Sequence, residues 1–451
     1  MARRMFARAP GFSPLSRREA LVFEKNISKG KMLVIAFQHV LTMTPGTIAV
    51  PLLLASGLGL DAQTTSFLVA ANFFTSGITT LLQVIGIGKL IGSRYPIILG
   101  SSFAPLAPMI MIGTRYGLPT LFGSIIASGA IIFLLSFFMD KVMKLFPQVV
   151  VGTFVTLIGV SLAPSALRDL AGGEGSAAFA SVPNLALGFG VLVFVLLVER
   201  YGKGIWRSMS LLLGIVFGTV VGAFLGMVDP APVLKAAPFQ AVTPFAFGMP
   251  EFHIVPILFM VVFCVINTLQ CIGVYSVVDE ITGTTSTPQI ESRGIRAQAL
   301  GQMVSGAFNS IPSTMFNENA GLVDLTRIKD RKVFIAAGIM LIVVGVCPPI
   351  AAAIVAVPKC VLGGATMALF GIITSSGISI LSRLDFGKNN NFKIVGTSIA
   401  IGVGSLYASE VYANLPEAIS MVMSNGLFMV TLSAVVLNLL LNGKKALSVD
   451  E

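Results

Sequence analysis

Long apolar stretches recur along the chain from Met32 to Leu441, separated by short clusters of Gly, Pro and charged residues. Most have about the 17 to 25 residues that a tilted helix needs to cross a bilayer. Because these stretches are continuously apolar rather than alternating, they predict helices and not barrel strands. The sequence thus predicts an all-α polytopic membrane protein with fourteen segments, at 31–55, 64–88, 96–113, 118–139, 148–167, 184–200, 206–228, 253–280, 295–309, 312–328, 332–356, 359–381, 393–408 and 416–441.

The composition agrees with this class of protein. The 451 residues are 55% hydrophobic and 11% charged, whereas soluble domains have about a quarter charged residues. The first apolar stretch lacks a small-residue cleavage site, so we expect it to remain as a span. The four cysteines have no metal-binding spacing, and no Walker loop or catalytic motif occurs. We therefore expect no enzyme activity, no cofactor and no metal.

The positions of the basic residues predict the orientation. With the amino terminus in the cytoplasm, 26 of the 30 Lys and Arg residues lie on the inner side, which leaves Arg115, Arg168, Lys235 and Lys359 outside. This predicts a plasma (inner) membrane protein with cytoplasmic tails at 1–30 and 442–451. Anionic lipid headgroups then account for the net charge of +10, without a nucleic acid partner.

Two of the fourteen segments are poor spans. Tyr95–Pro108 has one Gly and three Pro residues, and Ser310–Gly321 is short and polar. Irregular backbone survives at membrane depth only inside protein or around a wet cavity. Each segment is third in a block of seven, which indicates a 7+7 inverted repeat in which the two meet near the bilayer midplane. This arrangement is typical of secondary transporters.

Several polar residues in these segments are candidates for a binding site, because ionisable and amide groups are costly in a membrane. Glu318 stands between Asn317 and Asn319, where an N-cap role is the alternative. Gln38 and His39 lie in the first segment and Gln270 in the eighth, and hydrogen bonds between helices are the alternative for them.

Other candidates have equally strong structural alternatives. Phe103, beside Ser102, could stack on a flat ring, although most such residues only pack in the core. Arg327, after Thr326, could serve the positive-inside pattern or a gating step. We expect Asp324 to pair with a base. His253, Asp279 and Glu280 lie near segment ends, so we expect them to be solvated.

The sequence resembles the nucleobase/ascorbate transporters, the nucleobase:cation symporter-2 family. Its signature is matched by Glu318-Asn319-Ala-Gly321 followed by Leu-Val-Asp-Leu-Thr326-Arg327. Gln38-His39, Gly100-Ser-Ser-Phe-Ala104 and Lys144–Gly152 accompany it, so the resemblance extends from about Lys31 to Leu441.

This resemblance implies fourteen spans, with segments 3 and 10 each a short strand plus a half-helix. A core domain (31–139 and 253–356) would move against a gate domain (148–228 and 359–441) in a homodimer. The substrate would be a nucleobase, imported with protons in many members. The implied substrate-binding residues are Gln38, His39, Ser102, Phe103, Ala104, Gln270, Asn317, Glu318 and Asn319.

One departure from the bacterial pattern concerns coupling. Bacterial members usually have Glu at the position of Gln270 and often an acidic residue or His where this chain has Val274. Glu318 is therefore the leading candidate for the proton carrier.

The substrate remains open at this point. Glu318 and Arg327 resemble uracil permeases, whereas Leu81–Gly88 and the surrounding segments resemble the xanthine and urate branch, which favours a purine. An inorganic-anion exchanger or channel of the same fold and a membrane receptor are the alternatives.

Overall fold

The computed structural model describes residues 27–139, 146–387 and 389–443, which form helices and one two-stranded ribbon. The tails and the basic residues at 141, 144, 388, 444 and 445 lie outside these ranges. In chain order the elements are α1 (Lys29–Leu58), α2 (Ala62–Ile85), β1 (Leu99–Ser101), α3 (Leu106–Leu135), α4 (Gln148–Leu170), α5 (Val182–Tyr201), α6 (Ile205–Ser208), α7 (Ser210–Phe224), α8 (Ala231–Lys235), α9 (Ile254–Thr282), α10 (Pro288–Ala307), β2 (Ser313–Met315), α11 (Asn317–Thr326), α12 (Arg331–Gly345), α13 (Pro348–Val355), α14 (Lys359–Leu381), α15 (Asn391–Tyr407), α16 (Glu417–Met423) and α17 (Gly426–Asn442).

The first helices show how the sequence sets their ends. Ser28 caps α1 by accepting a hydrogen bond from the Lys31 amide. Gly59 ends α1 in the left-handed region, at φ 65°, which glycine adopts without steric cost. Asp61 then caps α2 by accepting from the Thr64 amide. Two apolar helices are thereby joined by a turn of only three residues.

Seven helices in the described ranges are long and apolar enough to cross a membrane. A bent pair, α12 and α13, qualifies as an eighth span if it is counted as one, with a bend of 75° between the two helices. The sequence predicted one segment there, at 332–356. The break follows from Pro348 and Pro349, which lack the amide hydrogen that would continue α12. The predicted segments 206–228 and 416–441 are likewise divided between two helices.

The β-ribbon lies inside the helical bundle. Strands β1 and β2 are antiparallel, with Leu99 opposite Met315, Gly100 opposite Thr314 and Ser101 opposite Ser313. Each strand is followed by a helix, β1 by α3 and β2 by α11. Helix α3 is kinked at Gly117, where φ is 84°.

The pair α4 and α14 packs through glycine. A Cβ atom on Gly159 would overlap Thr374 and the Phe370 carbonyl oxygen, and one on Gly363 would overlap the Leu170 backbone. The two helix axes can approach closely because these side chains are missing.

A long connection from Phe224 to Ile254 crosses to the other helices. The Gln240 amide donates to the Val346 carbonyl (3.2 Å), and the Phe245 amide donates to the Ala307 carbonyl (2.8 Å). The Phe247 ring packs against Phe67, with centroids 5.3 Å apart. A cavity of about 780 Å³, with alanine at nine of its 23 lining positions, lies between this connection and helices α2 and α13.

Candidate functional site

The edges of the ribbon are closed by side chains from neighbouring helices. The Ser313 carbonyl accepts from Asn267 Nδ2 and from Gln298 Nε2, both at 2.9 Å. On the opposite edge, the Leu99 amide donates to Thr80 Oγ1 at 3.0 Å. A two-stranded ribbon leaves such backbone groups unpaired, and a membrane interior supplies no water for them. These side chains therefore make the ribbon possible at this depth.

Asn267 of α9 connects the two strand-helix units, which are β1 with α3 and β2 with α11. Its Oδ1 atom accepts from Ser102 Oγ at 2.8 Å, while its Nδ2 atom donates to Ser313. Ser102 Oγ in turn accepts from the Ala104 amide at 3.3 Å. Both neighbours of Phe103 are thus held by one hydrogen-bonded chain that begins at Asn267.

Asn72 of α2 makes similar contacts at the same end of β1. Its Nδ2 atom donates to the Thr47 carbonyl (2.7 Å) and to Ser101 Oγ, and its Oδ1 atom accepts from Ser310 Oγ (3.4 Å). Neither Asn72 nor Asn267 is among the candidates that the sequence singled out. The available signal was a lone amide in an apolar stretch, which is costly in a membrane unless it has a partner.

His39 of α1 is bonded to the signature residue Asn319. Asn319 Nδ2 lies 3.0 Å from His39 Nδ1 and 3.0 Å from the His39 carbonyl oxygen. Both residues are buried, and the His39 ring lies 4.8 Å from the Phe334 ring. The contact joins α1 to the first turn of α11. Direct substrate contact by either residue stays a prediction.

Two aromatic rings lie near the ribbon. Phe103 is partly exposed and makes an edge contact with Phe370 of α14, with centroids 5.9 Å apart. Phe316, which is not among the candidates from the sequence, lies against two glycines: a Cβ atom on Gly100 would be 2.6 Å from its ring, and one on Gly46 2.7 Å. The structure thus brings rings from both strand-helix units to Gly46 of α1.

Gln270 and Glu318 differ from the asparagines because their side chains are not engaged. Neither makes a side-chain hydrogen bond or ion pair with another residue in the described part of the chain. Gln270 is partly exposed and lies one turn after Asn267 on α9. Glu318 is exposed, although Asn319 and Ala320 beside it are buried. Both polar groups are therefore free to contact a ligand.

The remaining predicted residues are placed as follows. Asn317 is exposed at the start of α11, Gln38 is partly exposed on α1, and Ala104 is buried. At the end of α11, Arg327 pairs with Asp324 at 3.1 Å, which confirms the prediction that Asp324 has a basic partner. Arg327 itself ends the helix in the left-handed region, at φ 56°.

Asp279 is not simply solvated, so that prediction was wrong. Its carboxylate accepts from the Tyr95 hydroxyl (2.8 Å) and the Ser286 hydroxyl (2.7 Å). Burial, followed by the hydrogen bond to Asp279, raises the pKa of Tyr95 to about 12. The contact fixes the chain just before β1 to the end of α9.

This arrangement suits a small, flat, polar solute. It combines a ribbon inside a membrane bundle with a carboxylate in the first turn of a helix, an amide without a bonded neighbour and a partly exposed ring. Within the described ranges no group of His, Cys, Asp and Glu side chains could hold a metal ion. The fold and the site define a multi-pass membrane carrier.

The chain belongs to the nucleobase:cation symporter-2 family, since a model described as "Permease family" matches residues 30–411. It is similar to a nucleobase transporter of Paenibacillus larvae, with 40% identity over 91% of this chain and 95% of that protein. The xanthine permease of Bacillus subtilis is 41% identical over 92% of this chain and 94% of that protein. The uric acid transporter of Escherichia coli is 38% identical over 93% and 88%.

Two solved structures share the fold. The transmembrane domain of the cyanobacterial bicarbonate transporter BicA matches with a TM-score of 0.55 and 14% identity, over 92% of this chain and 99% of that one. Murine Slc26a9, an anion transporter in the inward-facing state, matches with a TM-score of 0.61 and 13% identity, over 89% and 68%. At this identity the likeness concerns the fold and not the substrate.

Proposed function

We propose that the chain is a secondary transporter that imports a purine base such as xanthine, urate or guanine. The observation that carries this proposal is that the side chains of Gln270 and Glu318 bond to no other residue in the described ranges, while Phe103 is partly exposed. An amide and a carboxyl group together offer both donors and acceptors to the edge of a heterocycle. The relatives named for xanthine, uric acid and nucleobases support a purine.

The ring of the base would stack near Phe103, with its polar edge toward Gln270 and Glu318. Aromatic faces favour offset stacking on flat rings, and the amide and carboxyl would fix the orientation. The contacts of Asn319 with His39 leave Asn319 Oδ1 buried without a partner in the described residues, so it could serve a bound base as an acceptor. Gln38, Ser102, Ala104 and Asn317 would line the same space.

Fourteen segments in two inverted halves would surround this site, with segments 3 and 10 formed by β1 with the first half of α3 and by β2 with α11. Both termini would lie in the cytoplasm. The core domain (31–139 and 253–356) would slide against the gate domain (148–228 and 359–441) in a homodimer. The edge contact of Phe103 with Phe370 lies at this proposed boundary.

Glu318 would carry the coupled proton. A carboxyl group can bind a proton on one side and release it on the other when its access to water changes. Gln270 cannot titrate, and Val274 supplies no second carboxylate.

Uptake by proteoliposomes tests the substrate. Wild-type protein should accumulate labelled xanthine, and excess urate or guanine should compete more strongly than uracil, ascorbate, chloride or sulfate. A thermal-shift panel with the same compounds gives an independent readout, since a bound ligand stabilises the folded protein by mass action. Stronger competition by uracil would assign a pyrimidine, and competition only by chloride or sulfate would refute the proposal.

The Glu318→Gln variant tests the coupling. We expect wild-type uptake to increase as the external pH is lowered, and the variant to lose this dependence. Its kcat/KM should fall at least about tenfold, because hydrogen bonds to charged groups contribute about 1.5–3 kcal/mol.

Asp169→Asn is the matched control for Glu318→Gln, since Asp169 is a partly buried carboxylate near the end of α4. It should retain the pH dependence of the wild type. An unchanged pH profile in Glu318→Gln would assign the proton to another group.

A further inference from the structure

The hydrogen bonds of Asn267 place it between the two strand-helix units. It is fully buried, accepts from Ser102 directly after β1, and donates to Ser313 at the start of β2. The two strand-helix units are also joined directly, by three register pairs and by the Ser102 amide, which donates to the Pro312 carbonyl at 2.9 Å. Asn267, on α9, therefore forms hydrogen bonds with both strand-helix units.

The chemistry of this position requires an amide. The Ser102 hydroxyl donates a hydrogen bond and the Ser313 carbonyl accepts one. The side chain between them must therefore offer an acceptor and a donor about as far apart as the two ends of an amide. A carboxylate offers two acceptors, and an apolar residue offers neither. Ser313 retains a second donor in Gln298, whereas Ser102 has no other acceptor in the described residues. Loss of the amide would thus release the β1 side more than the β2 side.

Loss of the Asn267 amide would affect the chain around Phe103. The Ser102 hydroxyl also accepts from the Ala104 amide, so the backbone after Phe103 depends on the direction of this hydroxyl, while the Ser102 amide stays bonded to the Pro312 carbonyl. Gln270 lies three residues after Asn267 on α9, and residues three apart share a helix face. One amide therefore fixes the position of Phe103 relative to Gln270.

We propose that Asn267 is a positioning residue that sets the spacing between Phe103 and Gln270, and thereby the discrimination between a two-ring and a one-ring base. The inference rests on the proposed function. Asn267 acts through Ser102 and Ser313 and does not touch the base itself.

The test compares Asn267→Ala with the wild type in proteoliposomes. The KM for xanthine should rise about tenfold while kcat changes less than about twofold, because a shift of 1.4 kcal/mol in binding is tenfold. The preference for xanthine over uracil in competition should fall by a similar factor. Asn267→Asp, which keeps the acceptor for Ser102 and loses the donor to Ser313, should retain more of the preference.

Gln302→Ala is the matched control. Gln302 is a buried amide on α10 that donates to Ser128 Oγ of α3 (2.7 Å) and to Cys264 Sγ of α9 (3.1 Å), without a hydrogen bond to the ribbon. It should lower the melting temperature while KM and the base preference stay within about twofold. A merely structural role for Asn267 predicts the same result for both variants, and that result would overturn the inference.

Ser102→Ala keeps the test decisive if Asn267→Ala does not fold. It should reproduce the rise in KM, and the double variant should be no worse than either single one, since the two residues act in one chain. Additive effects would also overturn the inference. A wild-type protein that takes up no base refutes the proposed function as well, whereas a working wild type with unaffected variants refutes only the role of Asn267.

Discussion

The β-ribbon and the α4–α14 pair are both tightly packed, but different chemistry holds them. Around the ribbon, amides and hydroxyls of Asn72, Thr80, Asn267 and Gln298 pair with backbone groups. Between α4 and α14, glycines such as Gly159 and Gly363 let the backbones touch. Hydrogen bonds have preferred directions, whereas close packing of small residues depends mainly on shape.

The difference matches what each region has to do in the proposed carrier. A base-sized site needs side chains fixed to a fraction of an ångström, and directional bonds provide that. A surface against which another domain slides needs rigidity without polar groups that would have to be re-paired. The contact between Phe103 and Phe370, one ring from each region, contains no hydrogen bond.

The largest effect should come from Gly363→Ala. The new Cβ atom would overlap the backbone of Asp169 and Leu170, which cannot move as a side-chain end can. We expect a loss of about 3 kcal/mol or more of folding stability, at the upper end of overpacking costs, and little folded protein. Gly371→Ala on the same helix, where a Cβ atom meets nothing within 4 Å, should be nearly neutral. The measurement is the melting temperature in detergent, and equal values for both variants would contradict shape-based packing.

Gly100→Ala should have a smaller effect on stability and a larger one on transport. The Cβ atom would meet the Phe316 ring, the Met43 methyl group and the Thr47 hydroxyl, all of which are side chains that can shift. We expect a cost of about 1–3 kcal/mol and a rise in KM for the base, because Phe316 directly precedes the first turn of α11. Normal KM together with a lowered melting temperature would show that Phe316 does not influence the site.

The smallest effect should come from Arg168→Gln. Arg168 pairs with Glu174 at 3.0 Å, but both side chains are more than half exposed. Exposed pairs contribute about 0–1 kcal/mol, so melting temperature and uptake should hardly change. A large loss would mean that the end of α4 depends on charge as well as on packing, which would weaken the contrast with the ribbon.

The sequence predicted the positions of most helices well, because long apolar runs and their Gly and Pro boundaries are local features. The stretch predicted at 359–381 coincides with α14. The family resemblance pointed to the strands, and Glu318 and Gln270 stood out as polar residues in apolar surroundings. The pairing of Ser102 with Asn267 could not be predicted, since 165 positions separate the two and no periodicity links them. The position of Phe316 was missed for a similar reason, because a Phe in an apolar context carries no distinguishing signal.

The connection between α7 and α9 has a mechanical consequence for the proposed sliding. It leaves one group of helices at Phe224, and seven residues later, from Ala231, the short helix α8 already packs against α13 of the other group. Seven residues of fully extended chain reach about 25 Å. That is less than the roughly 30 Å thickness of the bilayer hydrocarbon. This tether therefore limits how far the two groups can move apart, and a longer displacement would require α8 to leave α13.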